Sequence, residues 1–137
     1  MKNAIKRLKP FDDKKKCVNV IVETPKGSRV KYDYDPETGL IKLKKALPEG
    51  MMFPFNFGFI PGTRAQDGDP IDILILNEEP LVPGCWLKAR LIGSIEAEQT
   101  GDGKTTLNDR LVGLALAKET PTSLERMEFD SKDVSGG

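Results

Sequence analysis

Histidine is absent from the 137 residues. With it go the commonest general base, every Ser-His or Cys-His nucleophile pair and the usual zinc ligand sets, so chemistry here must run on carboxylates, lysines and metal ions. Cysteine is scarce: Cys17 and Cys85 lie far apart, without C-x-x-C spacing, each in an apolar stretch that reads as a strand. The expectation is a pair of reduced core thiols in a cytoplasmic protein. Long hydrophobic runs are missing, both at membrane-spanning length and as a secretory apolar region after M-K-N-A-I-K-R-L-K-P, so no membrane partner is expected. Net charge is missing too, because 21 Lys and Arg balance 21 Asp and Glu. No global field draws the chain to nucleic acid, and any charge-driven function must be local.

The length suits one domain. Residues 1–16 carry seven Lys or Arg against two Asp. With only Phe11 among those charges, they read as a solvated basic segment rather than a nucleic-acid arm. The folded unit is expected over residues 17–120. Val18–Glu23 is rich in β-branched residues and stops at Pro25-Lys26-Gly27, a strand and a turn. Arg29–Tyr34 alternates in the same way, D-P-E-T-G turns the chain, and Leu40–Leu43 resumes it. Residues 48–62 are dense in Pro, Gly and aromatics, which predicts an ordered, partly buried loop. Further strands are expected at Ile73–Leu76, Trp86–Ile95 and Arg110–Ala117, with a hairpin tip at residues 100–105. Short strands with turn signals at regular spacing predict a mainly β protein, a small barrel or a sandwich. A helix start is expected at Thr122, where Glu125 completes a capping box before Met127 and Phe129.

The most informative residues are D-G-D-P-I-D, Asp67 to Asp72. Three crowded carboxylates repel one another by about 1 kcal/mol per close pair even near water, and a hard cation is the natural compensation. Gly68 allows close backbone approach, and Pro70 stiffens the loop so that Asp67 and Asp72 converge. An EF-hand is excluded: its fifth and sixth loop positions fall on Ile71 and Asp72 rather than on a ligand and a glycine. Without further context an Asp-rich surface turn explains these residues as well as a metal site does.

The context is a resemblance. D-G-D-P-[apolar]-D, preceded by F-P-F-N-F-G-F-I-P-G-T, resembles the signature of soluble family I inorganic pyrophosphatases. V-I-V-E-T-P, V-K-Y-D-Y-D-P-E-T-G and P-L-V-P-G fall in that family's order and spacing, so the similarity covers about residues 18–117. It implies an OB-fold-like, five-stranded antiparallel barrel with peripheral loops. It also implies Mg²⁺-dependent hydrolysis of pyrophosphate to two phosphates, with several Mg²⁺ ions as cofactors and a homo-oligomeric assembly. By position, Asp67 and Asp72 resemble the primary metal ligands, and Asp69 the carboxylate that takes the proton from the attacking water. Lys31 resembles a phosphate-binding lysine, Asp33 an acidic group that helps hold metal with substrate, and Glu23 another acidic position lining the cavity. The two-residue separation of Lys31 and Asp33 puts both on one strand face, as a shared site requires.

The departures are equally specific. Lys45 stands where the family commonly has a phosphate-binding arginine, keeping the charge without the bidentate fork. Phe53 and Phe57 replace active-site tyrosines. Asn108 fills the position of a metal-ligating aspartate. Asp109 would serve only through a bulge, because successive strand residues face opposite sides, whereas Arg110 preserves a cation. Near Gln99, Glu98 and Asp102 are candidate acidic substitutes. No match to the family's C-terminal Tyr-Lys pair follows, so residues 121–137 are expected to be a truncated C-terminal segment. The alternative function is a pyrophosphatase-like barrel that binds a phosphorylated ligand or a partner with little or no turnover. An OB-type nucleic-acid binder is disfavoured by the acidic central loop.

Overall fold

The computed structural model describes residues 4–13, 17–96, 98–101, 103–107 and 109–117. A one-turn helix α1 (Ala4–Arg7) and a short strand β1 (Phe11–Asp12) lead into β2 (Cys17–Thr24), whose residues are almost all buried. The sequence explains this double-sided burial. Val18, Val20 and Val22 alternate onto one face and join Ile60, Ile73, Ile75 and Ala89 in the main core, while Ile21 on the opposite face packs with Tyr34 and Phe59. Each such fully buried aliphatic side chain contributes about 1.5–3 kcal/mol.

After β2 the chain makes a two-stranded ribbon, β3 (Val30–Asp35) with β4 (Leu40–Ala46), and then returns as β5 (Asn56–Ile60), β6 (Ile71–Leu76) and β7 (Trp86–Ile95). A small hairpin follows, β8 (Glu98–Gly101) with β9 (Lys104–Leu107), and then β10 (Arg110–Leu116). The sheet order β2-β5-β6-β10-β7 closes on itself through β7 and β2, giving a five-stranded barrel rather than a sandwich. Closure removes the edges that an open sheet would expose. Antiparallel pairing holds around the ring except at β6 and β10, which run parallel.

Three local expectations are corrected. Within residues 48–62, Asn56–Ile60 is a strand of the barrel instead of a loop. Its Gly58 lets β5 approach β2 closely, since a Cβ there would run into the Ile21 carbonyl oxygen. Residues 4–13 are docked rather than solvated: Ile5 and Leu8 pack on the Ile21, Tyr34 and Phe59 cluster, and Asp12 accepts a 2.6 Å bond from Lys88 Nζ. Asn19 fastens the same segment, its backbone N–H donating to Pro10 O at 2.9 Å and its side chain to Lys9 O at 2.7 Å. Finally, Cys17 is a core thiol as expected, whereas Cys85 is exposed just ahead of β7. The helix start at Thr122 and the segment 121–137 lie outside the described residues. Among those that are described, no helix is long and apolar enough to cross a membrane.

Candidate active site

A cavity of about 290 Å³ opens where the end of β2, the β3–β4 ribbon, β5, the loop before β6 and the start of β10 meet. Each element brings chemistry to it. Glu23 comes from β2, Lys31 and Asp33 from β3, Lys44 from β4, Phe57 from β5, Asp67, Asp69 and Asp72 from the loop and β6, and Arg110 from β10.

Local hydrogen bonds hold these parts in place. Thr24 Oγ1 donates to Tyr32 O at 2.9 Å and accepts from Tyr32 N at 3.1 Å, clipping the end of β2 to β3. In the acidic loop Asp67 Oδ1 accepts the Asp69 N–H at 3.0 Å, and the Ala65 N–H donates to Asp69 O at 2.7 Å. Gly68 between them adopts φ of 89°, which explains a glycine at that position. Thr63 ties off the loop, donating to Ile60 O at 2.6 Å and accepting from Ile71 N at 2.9 Å. The result exposes Asp67 and Asp69 while half-burying Asp72.

Burial and mutual crowding shift the acids of the cavity. Burial, a hydrogen bond with Asp33 and the charges of Asp33 and Asp72 push Glu23 up to about 8, against the opposing bond from the Tyr34 N–H. Burial raises Asp33 as well, but its bond with Glu23 and the charges of Lys44 and Lys31 outweigh that and hold it below the usual carboxylate range. Asp72 is raised, chiefly by burial; Arg110 and Lys31 oppose the shift, and Asp67 and Asp33 reinforce it. Arg110 Nε stands 4.0 Å from Asp72 Oδ2 and its guanidinium lies 5.9 Å from the Phe57 ring centroid. Phe53 meets Phe57 edge-on, with ring centroids 5.3 Å apart.

Most of the residues singled out in the sequence therefore converge: Glu23, Lys31, Asp33, Phe57, Asp67, Asp69, Asp72 and Arg110 all line the cavity. Lys45 and Asp109 do not. Asn108 and Asp102 lie outside the described residues. Lys44, Thr24 and Tyr32 line the cavity without having been assigned to it from the sequence. The adjacent lysines at 44 and 45 were the only signal for the first of these.

The donor set fits a hard cation. All its candidate ligands are carboxylate oxygens, the donors a hard cation prefers, and the lesser, coulombic part of the upward shifts of Glu23 and Asp72 is one that a cation would relieve. Among the described residues no three acidic, cysteine or histidine side chains form a ready-made chelate.

A closed, five-stranded, OB-like β-barrel with carboxylates and cations lining one open cavity is the class that the fold and the site define. More particularly, the chain belongs to the inorganic pyrophosphatase family, whose model matches residues 20–129. It is 43% identical over 102 residues to the inorganic pyrophosphatase of Thermus thermophilus, covering 73% of this chain and 58% of that protein. Against soluble inorganic pyrophosphatase 3 of Arabidopsis thaliana it is 49% identical over 84 residues, covering 61% of this chain and 39% of the relative. The chain thus spans well under two-thirds of the length of these curated relatives. The crystal structure of the Thermus thermophilus enzyme superposes with a TM-score of 0.73 at 30% identity, over 98% of this chain and 84% of that one. That of the Neisseria gonorrhoeae pyrophosphatase gives 0.74 at 27% identity, over 96% and 82%.

Proposed function

We propose that the protein hydrolyses inorganic pyrophosphate to two phosphates with Mg²⁺ as its metal. The observation that carries this reading is the meeting of Asp67, Asp69 and Asp72 with Asp33, Lys31 and Arg110 in a single cavity. Mg²⁺ held by Asp67, Asp72 and Asp33 would neutralise the polyanion and acidify the attacking water. Lys31 and Arg110 bind phosphoryl oxygens, and Arg110 is steadied between Asp72 and the Phe57 ring. Asp69, exposed on the loop, takes the proton from the attacking water, a task for which a solvent-facing carboxylate close to the ligating ones is suited. Glu23, in the same cavity, holds Asp33 in its charged form through their shared hydrogen bond.

Phosphate release from pyrophosphate across a Mg²⁺ titration tests the reading. Release that requires Mg²⁺ supports it, and none above buffer defeats it. A second reading, a barrel that binds phosphorylated ligand with little turnover, draws on Phe53 and Phe57, which line the cavity without hydroxyl donors. Ligand binding without phosphate release would select it. We further infer a cytoplasmic homo-oligomer. Two free thiols, Cys17 in the core and Cys85 at the surface, suit a reducing compartment, and exposed Trp86, Leu114 and Leu116 on the barrel's outer side support self-association.

A further inference from the structure

Lys44 stands where the pairing of the ribbon breaks. Lys31 faces Lys45 and Tyr32 faces Leu43, so Lys44 is an extra residue with no partner in the ladder. Such a bulge re-aims a side chain. Lys44 Nζ lies 3.3 Å from Asp33 Oδ2, and both residues line the cavity, whereas Lys45 does not.

The pair is held loosely. The Lys44 side chain is 49% exposed and that of Asp33 33%, and ion pairs of this exposure change an equilibrium by only about two- to fivefold. An ammonium on a flexible stem, with three donors and no acceptor, serves a phosphoryl oxygen as readily as a carboxylate. Asp33 is also an oxygen that a divalent cation would take, and the cation carries twice the charge of the ammonium it displaces. The displaced ammonium would then be free to serve an anion in the same cavity.

We propose, building on the metal-and-pyrophosphate reading above, that Lys44 is an exchangeable counter-ion. It neutralises Asp33 while no divalent cation is bound, yields the carboxylate when one arrives, and then binds a phosphoryl oxygen of the diphosphate ligand. Removing Lys44 therefore has effects of opposite sign on the two ligands. The metal loses a competitor and the anion loses a donor. A residue that merely braced the ribbon would weaken both.

Calorimetric titration of Lys44→Met separates these cases, first with Mg²⁺ alone and then with non-hydrolysable imidodiphosphate at saturating Mg²⁺. The expected result is Mg²⁺ affinity about two- to fivefold tighter than in the unmodified protein, with imidodiphosphate about tenfold weaker. Lys44→Arg, which keeps the charge, should restore the anion affinity. Unchanged or weaker Mg²⁺ binding in Lys44→Met overturns the exchange. So does anion affinity that survives in Lys44→Met but falls in Lys45→Met, which would return the anion contact to the neighbouring lysine. Neither titration depends on turnover, so a protein that fails to hydrolyse pyrophosphate would defeat the proposed function while leaving this inference to its own result.

Discussion

The Glu23 carboxyl group on β2 hydrogen-bonds the Asp33 carboxylate on β3 while accepting the Tyr34 N–H at 2.8 Å, so acids from different strands meet at one point. Burial, and after it the bond with Asp33, pushes Glu23 from an ordinary 4.5 up to about 8. Because the folded state binds the Glu23 proton more tightly than the unfolded chain does, its stabilising effect is complete below about pH 4.5 and is lost as pH rises towards 8. In chelator-treated protein the melting temperature should fall across that window. The associated loss is on the order of a few kcal/mol. Glu23→Gln, which keeps a donor for Asp33 and cannot ionise, should flatten the profile. An equally steep decline in Glu23→Gln would assign the effect to other groups.

Asp69 and Asp72 should divide their work. Asp72 is half-buried on β6 beside Arg110, whereas Asp69 is exposed on the loop with its backbone pinned through Ala65. A proton acceptor acts mainly in the transition state, and a metal ligand acts in every state. Asp69→Asn should therefore lower kcat by about 10²- to 10⁴-fold with little change in Mg²⁺ affinity. Asp67→Asn and Asp72→Asn should weaken Mg²⁺ binding first. Equal loss of Mg²⁺ affinity in Asp69→Asn and Asp72→Asn would refute the division.

How much of this was legible in the sequence follows from how local each signal is. D-G-D-P-I-D is contiguous, so its carboxylates could be grouped without knowing the fold, and the i, i+2 spacing of Lys31 and Asp33 fixes a shared face on any strand. The β-branched run Val18–Glu23, closed by Pro25-Lys26-Gly27, likewise marked β2, because its composition is local. Lys44 and Lys45 differ in the opposite way. A one-residue bulge decides which of them reaches the cavity, and the two-fold period carries no mark of it. Strand β5 was hidden because aromatics and glycine dilute the usual β-branched pattern, and only the closeness of Ile21 explains Gly58. The docking of residues 4–13 depends on Asn19 and Lys88, which are remote in sequence from their partners Lys9 and Asp12.

Asn56 is a structural clasp with a measurable worth. It is fully buried. Its Oδ1 accepts the Lys26 and Leu81 N–H groups at 2.8 and 2.9 Å, and its Nδ2 donates to Glu79 O at 3.1 Å. These bonds join the turn after β2 to the loop after β6. Asn56→Ala would take the acceptor from the Lys26 and Leu81 N–H groups, whereas Glu79 O keeps its 2.9 Å bond from Asn77 Nδ2, so it should cost about 1–3 kcal/mol. Urea unfolding should show a lower midpoint at unchanged slope. A midpoint within error of the unmodified protein would mean that water takes over both N–H groups.

Phe57 offers the cavity a ring face where the resemblance implies a tyrosine. The ring is braced edge-on by Phe53 and lies under the Arg110 guanidinium, and it lines the same cavity as Asp67 and Lys31. Adding a hydroxyl extends the side chain without disturbing that packing, provided its para position faces the cavity. Phe57→Tyr should then tighten binding of imidodiphosphate by about 0.5–1.5 kcal/mol, the net worth of one hydrogen bond. Phe57→Leu keeps an apolar contact but removes the aromatic face beneath Arg110, so it should weaken the same ligand by about 0.5–1 kcal/mol through a less ordered guanidinium. Calorimetry at saturating Mg²⁺ reads both. If Phe57→Tyr leaves the affinity unchanged while Phe57→Leu lowers it, the ring acts through Arg110 alone and its edge does not reach the phosphate. If neither variant changes the affinity, Phe57 is packing, and the anion is held by the cavity's cations without help from its aromatic wall.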